Sequence, residues 1–147
     1  MKSKVFLFFL LVNSFLIIAQ DIPVQKINWG TLRDVKFTRK FNQEYQLDFF
    51  YPTFGSNLLK LQGKIVEIKG YVIPVNQNVF VLSAKPMASC FFCGGSGPES
   101  IVQLNFSKKN RFNTDQVITV KGKLRLNADN VDDLNYILDD ASLVQIH

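Results

Sequence analysis

Histidine and cysteine are scarce in this chain of 147 residues: one His, at position 147, and two Cys, at 90 and 93. A Ser–His–acid hydrolase needs a histidine built into the fold, whereas His147 stands at the chain end, where mobility is expected, so ordinary hydrolysis is disfavoured. The chain also lacks a phosphate loop, because Gly94, Gly95 and Gly97 are not followed by the Lys and Ser/Thr that such a loop requires. The acids Asp129, Asp132, Asp133, Asp139 and Asp140 do not follow EF-hand spacing and read as a solvated face. Repeats, charge blocks and low-complexity linkers are missing as well, which leaves no internal boundary beyond the first twenty residues.

A membrane-spanning run is lacking too. Val5 to Ile18 is almost wholly apolar and follows Lys2 and Lys4, but it is broken by Asn13 and Ser14 and closed by Gln20 and Asp21. That is the length of a signal-peptide core and short of the ~20 residues of a membrane helix. We therefore expect a cleavable signal peptide over residues 1–20, cut near Ala19 or Gln20, and a mature product that does not span the membrane. No Cys lies near the cut, so a lipid anchor is not expected. The expected location is periplasmic or extracellular. Removing Lys2 and Lys4 from the 17 basic residues, against 12 acids, leaves about +3. That field is too weak and too scattered to suggest a nucleic-acid partner.

What remains is strand-like. In Gln116 to Leu126, Ile118, Val120, Gly122, Leu124 and Leu126 alternate with Thr119, Lys121, Lys123 and Arg125, which turns an apolar face inward and a solvated basic stripe outward. Leu61 to Val75 reads as a long strand with Val66, Ile68 and Val72 on one side and Gly70 as a bend or bulge. Val79–Ser83, Glu99–Phe106 (Val102, Leu104 and Phe106 inward) and Tyr136–Ile146 complete five strands. Five strands, the first long and kinked at glycine, predict an all-β fold: a small, five-stranded Greek-key barrel of the OB type over residues 61–147. Residues 21–60 are expected to form an N-terminal β extension packed on the barrel, with a hairpin about Asn42-Gln43-Glu44 and one helical turn capped by Ser56. Its aromatics Phe37, Phe49, Phe50, Tyr51 and Phe54 are expected to fill core rather than to form a ligand platform.

Between the second and third barrel strands runs the long, glycine-rich loop Lys85–Ser100, which holds both cysteines. Three chemistries are open to Cys90 and Cys93. One is a disulfide, natural in an oxidising compartment but worth only ~2 kcal/mol for so short a loop. Another is a soft-metal site for zinc or copper as Cu(I), completed either by Glu99 and His147 as the candidate additional ligands or by the cysteine pair of a second subunit. The last is a thiol–disulfide oxidoreductase, which the following glycines and Pro98 disfavour because they oppose the helix N-terminus that would acidify a thiol.

Trp29, Tyr51-Pro52-Thr53-Phe54, Leu61 to Val66, Gly70 to Pro74, Phe80 to Ser83 and above all Cys90-Phe-Phe-Cys-Gly-Gly-Ser-Gly-Pro-Glu-Ser100 together resemble an exported domain-of-unknown-function family of Gram-negative bacteria with an OB-like barrel. The resemblance implies export and the barrel, and carries no catalytic role to any residue. The expectation is a binding or accessory module of the cell envelope, with a metal ion or a protein as partner, rather than an enzyme.

Overall fold

The computed structural model describes residues 23–76, 79–87 and 96–147, so the expected signal peptide and both Cys90 and Cys93 lie outside the described residues. In chain order the elements are β1 (Gln25–Lys26), β2 (Val35–Asn42), β3 (Leu47–Phe54), a single-turn α1 (Ser56–Leu59), β4 (Ile65–Pro74), β5 (Phe80–Ser83), β6 (Ile101–Phe106), β7 (Gln116–Leu126) and β8 (Tyr136–Ile146). Strands pair in the order β4-β5-β6-β8-β7, and β7 returns to β4, which closes a five-stranded barrel. Only the β6–β8 pairing within this ring is parallel. The chain is an all-β, OB-like barrel with an N-terminal β extension. Among the described residues, no helix is long and apolar enough to cross a membrane.

Closure rests on β4, which pairs with β7 over Ile65–Val72 and with β5 over Tyr71–Pro74. A strand that changes partner must curl, and Gly70 sits just before the change. A Cβ at Gly70 would stand 2.7 Å from the Ser83 carbonyl oxygen and 2.9 Å from both Leu82 and the Trp29 ring. The expected inward sets are in place: Val66, Ile68, Val72, Val102, Leu104, Ile118, Val120 and Leu124 are all buried in one core. Phe106 and Leu126 pack at its margin. Thr119, expected to face outward, is instead buried because the His147 ring lies against its hydroxyl at 2.9 Å.

The extension closes the barrel from outside. Leu32 and Leu58 are fully buried within the barrel's core, and the buried Tyr136 hydroxyl donates to the Leu32 carbonyl at 2.8 Å. Burial, and then the negative charges of Glu99 and Asp34, push this phenol far above its ordinary pKa, so it remains a donor. Trp29 donates its indole N–H to the Lys69 carbonyl at 2.8 Å, on the rim next to Gly70. Ser56 does not cap α1: the cap position is Gly55, and the Asp34 carboxylate accepts the Asn57 amide from 23 residues away. A carboxylate at a helix start does a hydroxyl's task with added charge.

Hairpin β2–β3 forms its own two-stranded sheet, turned by residues 43–46 with the Asn42 side chain accepting the Glu44 and Tyr45 amides. Its aromatics do not fill core as expected. Only Phe54 packs on the core cluster, while Phe50 is 59% exposed and Phe37, Phe49 and Tyr51 are half-buried. The reason is geometric: a lone ribbon has no second sheet to cover its distal end. The acids are likewise more than a solvated face. Asp139 receives Nε of Arg125 at 2.6 Å and the Asn105 amide at 2.7 Å, Asp133 receives Gln103 at 2.9 Å, and Asp132 accepts the Tyr45 hydroxyl at 2.7 Å. The Arg125 guanidinium holds the Asp139 carboxyl below its ordinary pKa, with Asn105 assisting.

Two outcomes follow for stability. Val120→Asp, which buries an unpaired charge, should cost about 3–5 kcal/mol or prevent folding, whereas Lys121→Asp on the exposed side should change the melting temperature little; equal tolerance of both in thermal melts would refute the register. Because Asp139 binds its proton less tightly when folded, its contribution is present above the ordinary carboxylate range and fades as pH falls through the depressed value. Urea titrations should therefore show Asp139→Asn weaker than wild type by ~1 kcal/mol at pH 7, with the gap closing on acidification to about pH 2.

Candidate functional site

The connection from β5 to β6 carries the cysteine pair, and both of its described ends are tied to the barrel. Ala84 donates its amide to the Ser100 carbonyl at 2.9 Å, Lys85 donates to the buried Ser83 hydroxyl at 3.3 Å, and Met87 donates to the Asp115 carboxylate at 2.6 Å. Asp115 is itself fixed, since its amide reaches the Val72 carbonyl at 2.9 Å and its backbone is left-handed at φ 63°. On the return side Pro98–Ser100 form a 3-10 turn, and Ser100 closes it with amide and hydroxyl both donating to the Gly97 carbonyl. The turn ends in β6 and begins no helix, in keeping with the proline at its start.

Glu99 lies half-buried in that turn, its carboxylate folded over Gly97 into the space a Cβ there would need. It shares a cavity of about 110 Å³ with Trp29, Arg33, Lys85 and Ser96 at the foot of the loop. His147 is not loose: its amide donates to the Val117 carbonyl at 2.9 Å, and its ring touches Thr119 Oγ1 and, at 3.4 Å, Lys69 Nζ. An ammonium can only donate, so Nδ1 accepts and the proton assigned to Nε2 goes to Thr119. The two candidate ligands thus have different partners, and a metal at His147 would have to displace one of its own. Among the described residues, no three His, Cys, Asp or Glu side chains are grouped to hold a metal ion.

A second concavity went unmarked in the sequence. Pro74, Asn76 and Phe80 on one side and Lys109 to Asn113 on the other line a cleft of about 890 Å³ at the barrel rim. Phe80 and Phe112 line it, and both pack on Phe106, with the three ring centroids 5.5–5.6 Å apart. The available signal was the run Ser107-Lys-Lys-Asn-Arg-Phe-Asn113, three cations with no acid, which as a sequence resembles any polar loop.

Compared with family models and with curated proteins, the chain matches none.

The Asp115 tether is testable. Asp115→Gly keeps the left-handed backbone free of strain while removing the acceptor for Met87. Limited proteolysis should then cut within residues 85–99 several-fold faster than in wild type, at little change in melting temperature. Unchanged cleavage would show that the tether does not restrain the loop.

Proposed function

We propose that this chain is an exported binding module of the cell envelope, periplasmic or extracellular, whose working element is the Cys90–Cys93 loop and whose ligand is a soft metal ion, zinc or Cu(I). The observation that carries the reading is the tethering of the loop stem: hydrogen bonds at Ala84, Lys85, Met87 and Ser100 anchor both described ends of the connection. A stem tied at both ends shortens the segment that metal binding has to order and so lowers the entropic cost. Glycines after the second thiol ease crowding and free amides for the sulfurs, and Glu99 is the oxygen ligand carried by the same loop. Resemblance of the loop to an exported family supports the compartment.

A second reading, a disulfide-stapled interaction domain, is favoured by the exposed Phe41, Leu47 and Phe50 of hairpin β2–β3, each 58–60% exposed. Native mass spectrometry separates the two. The metal reading expects a full-mass reduced chain that takes up zinc or Cu(I) at a fixed ratio, and loses it in a folded Cys93→Ser variant. A native mass two hydrogens lower, with no metal uptake after reduction, would overturn it and leave the bridge, worth at most ~2 kcal/mol. Rapid alkylation of Cys90 below about pH 7, with turnover of a model disulfide, would instead make the protein an oxidoreductase.

A further inference from the structure

We propose that the cleft lined by Pro74, Asn76 and Phe80 and by Lys109 to Asn113 binds an acidic saccharide, a hydroxylated sugar ring bearing a carboxylate, sulfate or phosphate. This reading is independent of the cysteine loop. Lys109 and Arg111 are exposed on the cleft wall, neither forms an ion pair with a described residue, and among the described residues no acid lines the cleft. Two unneutralised cations over a concave floor concentrate field on an anion, and a guanidinium can take a carboxylate or sulfate through two parallel bonds.

The rest of the lining selects the kind of anion. Asn110 gives its amide N–H to the Lys108 carbonyl at 2.7 Å, which leaves its oxygen as an acceptor, and the exposed Asn113 side chain makes no hydrogen bond to a described residue. Carboxamides that both donate and accept suit vicinal hydroxyls. Pro74, Phe80 and Phe112 supply an apolar floor for the C–H face of a sugar ring. The wall is preformed: Asn113 and Gln116 exchange hydrogen bonds at 3.2 Å, and Asp115 is fixed to Val72.

A peptide is the weaker occupant, because β5 is already paired on both edges, with β4 and with β6, and offers no free ladder to an added strand. The small net charge speaks against an oligonucleotide.

The test titrates isotope-labelled mature protein with trigalacturonate, maltotriose, a penta-glutamate peptide and an oligothymidylate, following amide shifts by NMR. We expect saturable shifts with trigalacturonate centred on residues 74–76, 80 and 109–113, weakened by added salt, and little response to maltotriose. Arg111→Ala and Lys109→Ala should each reduce affinity roughly tenfold, while Lys121→Ala, an exposed cation outside the cleft, should not. Because all three positions are exposed, unchanged dispersion elsewhere in the spectrum confirms folding. The proposal is overturned if no saccharide binds, if maltotriose binds as tightly, if the peptide or oligothymidylate binds tighter, or if the shifts map elsewhere.

Discussion

Pairing of β4 with both β5 and β7 is the constraint on which the remaining structure depends. It turns a sheet with two edges into a ring without them, and it requires the strand to curl where Tyr71 and Val72 face both partners. Gly70 makes the curl possible, since the Ser83 carbonyl, Leu82 and Trp29 all occupy the space a side chain would need. From that bend the rim follows: Val72 holds Asp115, Asp115 holds Met87, and so the cysteine-bearing connection and the cationic connection meet at one end of the barrel.

The outer surface adds a second layer of order. Arg125 on β7 joins Asp139 on β8 and Asp133 before it, while Asn105 and Gln103 of β6 reach the same two carboxylates. Three strands are thereby laced on their solvent side at the place where β6 and β8 run parallel and their register shifts. Inside, Tyr136 does the corresponding task with a single neutral hydroxyl, which ties the extension to the barrel without burying a charge.

Much of this was readable in the chain. Alternation in β7 and β6 announced both the strands and their inward faces, because a period of two is imposed by the backbone itself. What could not be read were partnerships across long separations. Asp34 capping a helix 23 residues away, Thr119 covered by His147, and Arg125 clasped by two acids all depend on tertiary placement that no local pattern encodes. The aromatics of the hairpin were misjudged for a related reason, since hydrophobicity says that a residue can be buried and not whether another layer is there to bury it. For the candidate site, residue types and spacing single out Cys90, Cys93 and Glu99 as expectations, whereas the cationic cleft was hidden because its two walls lie some thirty residues apart.

The β4–β7 pairing also has a consequence in time. Val66 meets Gly122 only after more than fifty further residues have appeared, and the ring is complete only when β8 bridges β7 and β6. Contacts of such long sequence separation form late and slowly. A chain synthesised from its N-terminus therefore carries one edge of β4 unpaired until β7 has been made, and then hands the open edges to β6 and β7 until β8 fills the gap between them.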